Sequence, residues 1–165
     1  MSHGCFEAII KYLKFTSTPA LAYKAPFHCV EELVNAFNKH TQRAFVPSWV
    51  ACLDESMSVW TSQWTCPGWM FVPCKPHPFG NEFHSMFCGC LGNMYSIELV
   101  EGKDWPHQSP PKKFEEKGRT AGLLLRLCES IMHSGRVVNM DSGLCVLQAL
   151  IEYLLVGVYS SAVIK

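Results

Sequence analysis

The chain is 165 residues long, which suits one domain with length enough to bury a real core. Its 48% hydrophobic and 17% charged residues exclude a disordered chain. A formal net charge of zero removes the basic surplus with which a free-standing nucleic-acid binder displaces counterions from phosphate, leaving room only for a local patch.

Met1-Ser2-His3-Gly4-Cys5 opens directly into a helical pattern, without the basic start, apolar run and cleavage site of a signal peptide. Phe6, Ile9, Ile10 and Leu13 share one face and predict a short helix over residues 4–15, broken at Thr16 to Pro19. A second helix is expected from Pro26 to Arg43, where Val30, Leu33, Val34 and Phe37 recur at helical spacing. These two helices make a lead-in over residues 1–46, and residues 47–165 form the main unit. Ser48 to Asp54 is short, apolar and bounded by proline and charge, as a buried strand is.

From Glu55 to Phe79 prolines and tryptophans predict a turn-rich segment with one short strand at Trp69 to Val72. Glu82 to Cys88 and Met94 to Val100 are strands of a hairpin turning at Gly92-Asn93. Glu101 to Lys117 reads as a surface loop, and Gly118 to His133 as a helix with Leu123, Leu124, Leu127 and Ile131 inward. Arg136 to Met140 is a strand ending at Asp141. Leu144 to Leu154 is a helix stopped by Gly157, and Val158 to Ile164 is a last strand. Three strands able to meander, then alternating helices and strands, predict an α/β fold: a mixed sheet with covering helices, in the order of a ribonuclease H-like core.

The longest apolar runs, such as Val156 to Val158 and Gly122 to Leu125, are far too short to span a bilayer, so no membrane partner is expected. Without a secretory leader, an intracellular chain with its nine cysteines reduced is expected. The closest cysteines are Cys88 and Cys90, with Cys66, Cys74, His77 and His84 upstream. Their spacing is wrong for the usual zinc folds, so half-buried thiols are the better reading.

The informative feature is an aspartate at the end of each of two apolar strands, Asp54 after Val50 to Leu53 and Asp141 after Val137 to Met140. Were those strands neighbours, their ends would bring the carboxylates together, and a divalent cation is the usual reason to tolerate such a pair. The plainer alternative makes each aspartate a turn former or a helix cap, with Asp141-Ser142-Gly143 an ordinary start to the next helix. Glu55 adds little on this reading, because alternation along the strand points it away from Asp54.

Four blocks carry a resemblance to the piggyBac family of transposable elements. Phe45 to Met57, with Asp54-Glu55 after a hydrophobic strand, resembles the family's opening catalytic block. Val72 to Gly80 is similar to its Lys-Pro element, here Lys75-Pro76 and His77. Arg136 to Leu150 is similar to its second-aspartate block, and Gly157 to Lys165 to the strand that follows. With the lead-in helices, the resemblance covers about residues 5–165.

The resemblance implies a DDE-type transposase that cuts transposon ends and joins them to target DNA with Mg2+ (or Mn2+). Asp54 and Asp141 would be its first two catalytic, metal-binding carboxylates. Lys75 and His77 would contact DNA phosphate, the alternative being a proline-shaped loop with Lys75 solvated. Trp49, Trp60, Trp64 and Trp69 are expected to be scaffold. The family's third aspartate is expected beyond Lys165, making the core here incomplete, metal binding weak or absent, and cleavage by this chain negligible. An exposed apolar patch on the uncovered sheet face is expected, favouring self-association. A different class of function is a non-catalytic, domesticated module that binds DNA or a full-length transposase. Nuclear location follows from the resemblance alone.

Overall fold

The computed structural model describes residues 1–13, 27–64, 66, 68–73, 75–101 and 112–164. Two helices come first, α1 (His3–Tyr12) and α2 (His28–Ala44). Ser2 caps α1 by accepting the Cys5 N–H at 3.3 Å. The expected break at Thr16 to Pro19 and helix start at Pro26 lie outside the described residues, as does most of the expected loop from Glu101. No described helix is long and apolar enough to cross a membrane.

Six strands follow: β1 (Val50–Val59), β2 (Trp69–Phe71), β3 (Phe79–Cys88), β4 (Met94–Leu99), β5 (Val137–Met140) and β6 (Tyr159–Ala162). They form one sheet in the order β2-β3-β1-β5-β6, with β4 also on β3. β1, β3 and β4 run antiparallel, whereas β5 is parallel to β1 and β6 to β5. The mixed sheet is thus an antiparallel meander extended by two crossover-connected parallel strands, the order of the ribonuclease H-like core. The hairpin turns at Gly92-Asn93 as expected.

Helices α3 (Arg119–Leu127) and α4 (Leu147–Leu155) make those crossovers and pack on each other. Between them and one sheet face lies the core: Ala51 and Leu53 of β1, Met86 of β3, Val138 and Met140 of β5, Leu124, Leu125, Ala149 and Tyr153. Period-two alternation puts the strand residues on that face, and each large aliphatic side chain so buried contributes about 1.5–3 kcal/mol. At its centre the Tyr153 hydroxyl donates to the Leu124 carbonyl at 2.9 Å and lies 3.2 Å from Cys128 Sγ. Burial pushes the Cys128 thiol up to about 12, so it is an inert packing group. Gly157, at φ +65°, ends α4 and lets the Val158 N–H return to the Tyr153 carbonyl, turning the chain into β6.

α2 closes the outer edge of β4. The Asn38 amide donates to the Ile97 carbonyl and accepts the Ile97 N–H, both at 2.9 Å, as a neighbouring strand would. Thr41 Oγ1 bonds the Tyr95 carbonyl at 2.7 Å.

Two expectations change. β1 does not stop at Asp54 but runs to Val59, because β3 pairs with it along its whole length to Gly80. α3 ends at Leu127, and a 3-10 turn over Glu129–Ile131 carries Ile131 into the core. On the sheet face away from α3 and α4, Val50, Cys52 and Phe87 are half-buried. Phe71, Phe79 and Tyr159 on that face are exposed, and a further contiguous apolar exposure lies on the outer side of α4, at Leu147, Ile151, Leu154 and Leu155.

Candidate active site

The parallel pairing of β1 with β5 runs from Val50↔Val137 to Leu53↔Met140 and stops there. Asp54, midway along β1, and Asp141, directly after β5, are the successors of that last rung. Strands in a sheet lie about 4.8 Å apart, so this register brings together two aspartates distant in sequence. Both are exposed. Ligand sites in open α/β sheets gather beyond the carboxyl ends of parallel strands such as β5.

Each carboxylate is partly committed. Asp54 Oδ1 accepts the Glu55 N–H at 2.8 Å. Asp141 Oδ1 accepts the Gly143 N–H at 2.9 Å and the Leu144 N–H at 3.2 Å, forming an Asx turn that leads towards α4. No hydrogen bond engages Asp141 Oδ2 among the described residues, so the turn-forming and ligand-binding readings of Asp141 use different oxygens.

Glu55 is the residue that sequence reasoning set aside. It does occupy the opposite face of β1 from Asp54, but the chain leaving β5 wraps onto that face on its way to α4. A Cβ on Gly143 would lie 2.8 Å from Glu55 Oε1, 3.3 Å from Asp141 Oδ1 and 3.7 Å from Asp141 Oδ2. The two carboxylates therefore border one small space that only glycine leaves open. Lys75 Nζ donates to the Glu55 carbonyl at 3.0 Å and lies 3.8 Å from Glu55 Oε2. Lys75 is thus fastened beside Asp54 rather than free in solvent, while His77 is exposed on the same turn.

Two buried polar groups on β3 adjoin these residues. Ser85 stands opposite Asp54 in the β1–β3 register, is fully buried, and its hydroxyl has no hydrogen-bond partner. His84, opposite Glu55, places Nε2 3.1 Å from Glu82 Oε1 and leaves Nδ1 buried and unpartnered. The hydrogen bond from His84 holds the Glu82 carboxyl below its ordinary value, helped by the charges of His84, Lys75 and Arg119 and opposed by burial.

Among the described residues no three His, Cys, Asp or Glu side chains converge as a ready metal site. The donor set nevertheless fits a hard divalent cation. Mg2+ takes one or two carboxylates and fills its remaining positions with water and substrate phosphate. Asp54 and Asp141 would supply two carboxylates, Gly143 leaves space beside Asp141 and Glu55, and the orphaned Ser85 hydroxyl lies across the ladder from Asp54. A depression of about 300 Å³, lined by Ser142, Gly143, Cys145, Val163 and Ile164, opens next to the same turn. Among the described residues the cysteines offer no such convergence: Cys88 is buried and accepts the Ser48 N–H at 3.3 Å, whereas Cys90 is exposed.

A family model described as Transposase IS4 matches the chain over residues 1–165. Among solved structures the chain is similar to the piggyBac transposase in a cryo-EM synaptic complex with hairpin DNA, with a TM-score of 0.80 and 17% identity. The match covers 100% of this chain and 34% of that protein, so the chain spans about a third of its length. No curated protein sequence matches it.

Proposed function

The chain belongs to the transposase family of that model, and from this premise we propose that it carries part of a metal-dependent DNA-cleaving core in which Asp54 and Asp141 are the catalytic, ion-holding carboxylates. The observation that carries the reading is the Leu53↔Met140 rung, with an aspartate following on each strand. Mg2+ or Mn2+ is the proposed ion and DNA the proposed substrate, the ancestral activity being cleavage and strand transfer in transposition. When bound, the ion would supply charge stabilisation to a transferring phosphate.

The residues of the chain divide the remaining work. Asp141 keeps its turn with Oδ1 and offers Oδ2 to the ion. Asp54 offers its carboxylate from the neighbouring strand and turns towards Ser85, whose hydroxyl can donate to it. Lys75, tethered to β1, and His77, exposed on the same turn, are proposed to meet DNA phosphate. With a net charge of zero, phosphate attraction is local to this corner rather than spread over the surface. Nuclear residence accords with this role.

One observation favours a second reading, in which the chain is an interaction module for itself or a full-length transposase. The exposed α4 side chains are spaced as one continuous apolar stripe beside the edge strand β6, which suits a protein contact.

Mn2+ titration followed by the electron paramagnetic resonance of the free ion tests the first reading. The wild-type chain should deplete free Mn2+ with one site, and Asp54→Asn or Asp141→Asn should weaken it tenfold or more, on the order expected for loss of an ion-binding carboxylate. Equal uptake by all three proteins would overturn it.

A further inference from the structure

We propose that Glu55 is a positioning residue for Asp141, bracing the turn after β5 from the face of β1 opposite Asp54. The inference rests on the reading of Asp54 and Asp141 as ion ligands. Four contacts carry it. Lys75 Nζ holds the Glu55 carbonyl at 3.0 Å and stands 3.8 Å from its Oε2, fixing both the strand and the carboxylate. The Glu55 side chain is only 20% exposed, so its place is set by packing rather than solvent. Glu55 Oε1 and Asp141 Oδ1 flank the space left by the missing Cβ of Gly143. The Gly143 and Leu144 N–H groups hold Asp141 Oδ1 in the turn.

These contacts divide the two oxygens of Asp141. Backbone donors hold Oδ1, and the Glu55 side chain, held by Lys75, fills the far side of the Gly143 gap and so keeps the turn from shifting towards β1. Oδ2 is thereby left out of the turn and available to an ion. Lys75 offsets the charge of Glu55 where it stands, so the brace is tolerated before any ion arrives. Residues of this kind, which orient a ligand without touching the ion, typically change metal affinity 10–100-fold when replaced.

The test uses the full chain with Mn2+ as the probe and two readouts. Glu55→Ala should weaken Mn2+ binding about tenfold, and Glu55→Gln, which keeps the shape and loses the charge, should fall between it and wild type. Gly143→Ala should weaken binding similarly, because its Cβ would meet Glu55 Oε1 at 2.8 Å. Once Glu55 is alanine that collision is gone, so Gly143→Ala should add little further, and the two effects should be non-additive. In the metal-free protein, Glu55→Ala should speed amide hydrogen exchange at Gly143 and Leu144 several-fold, while the core amides of Leu124 and Tyr153 hold their wild-type rates.

Unchanged exchange at Gly143 and Leu144 would overturn the proposal, as would additive effects of Glu55→Ala and Gly143→Ala on Mn2+ affinity. Faster exchange across the core as well would reduce Glu55 to a general stability role and overturn it too. Absence of Mn2+ uptake by the wild-type chain would sink the ion reading instead, and the exchange measurement would then decide the role of Glu55 by itself.

Discussion

Leu53 of β1 and Met140 of β5 form the last rung of a parallel strand pair, and both side chains are buried on the helix-covered face. The residue after each is an aspartate. Alternation sends Asp54 to the other face of β1, while Asp141, just past the end of β5, turns back towards Glu55. The hydrophobic core thus fixes the register in which two exposed aspartates succeed the same rung of the strand pair.

Asp141 has separable structural and chemical roles. Asp141→Asn keeps an oxygen for the Gly143 and Leu144 N–H groups, so its stability should stay within about 0.5 kcal/mol of wild type. Asp141→Ala leaves those donors without their acceptor and should cost about 1 kcal/mol. For a chain of this size that is a Tm about 2–4 °C lower. Thermal unfolding of the two variants checks the separation. Equal Tm values would mean that the turn does not depend on the carboxylate oxygen.

Tyr153 anchors α4 to α3 through a hydroxyl with no access to water. Tyr153→Phe removes a donor from the Leu124 carbonyl, which keeps the Cys128 N–H at 3.2 Å, and takes the hydroxyl from beside Cys128 Sγ, at a cost of about 1–1.5 kcal/mol. A Tm lower by about 3–6 °C with unchanged circular dichroism is expected. No change would mean that the hydroxyl is not a net contributor.

Glu82 should make stability acid-sensitive. Its folded carboxyl titrates below the ordinary value of 4.5, chiefly because His84 hydrogen-bonds its charged form. A depressed carboxyl contributes its full stability above that ordinary value and loses it as pH falls through the folded one. The Tm advantage of wild type over Glu82→Gln should therefore be largest near neutrality and shrink below pH 4.5. A difference independent of pH would contradict the assignment.

The outer side of α4 should drive association. Leu147, Ile151, Leu154 and Leu155 are between 47% and 73% exposed, more apolar surface than one short helix usually leaves in water. Sedimentation velocity should show concentration-dependent oligomers for wild type, and Leu154→Lys with Leu155→Glu should shift the chain towards monomer. A wild-type monomer at high concentration would remove the interaction reading.

Much of this fold was legible in the residues. Val30 to Phe37 at helical spacing marked α2, Gly92-Asn93 marked the hairpin, and the alternating helices and strands after it marked a mixed sheet with covering helices. The second half of β1 was hidden because Glu55-Ser56-Met57-Ser58 is polar enough to read as loop, and only pairing with β3 makes it strand. α3 looked longer because Ile131 keeps helical spacing across a 3-10 turn. Glu55 escaped for a different reason. Alternation tells which face of a strand a side chain takes, but not that a later turn, at Gly143, returns to that face. Such tertiary returns leave no local signature. The exposure of α4 was equally hidden, since Leu147 to Leu155 is apolar on nearly every side and periodicity could not choose which face goes inward.

Iron-directed backbone cleavage tests the central claim most directly. Fe2+ enters hard-oxygen Mg2+ sites, and with ascorbate and peroxide it cuts the polypeptide beside the carboxylates that hold it. The account predicts two sets of fragments, ending near Asp54 and near Asp141, both suppressed by excess Mg2+ and by Asp54→Asn. Cuts confined to histidine or cysteine positions, or absent at either aspartate, would contradict a shared ion site where the pairing of β1 with β5 ends.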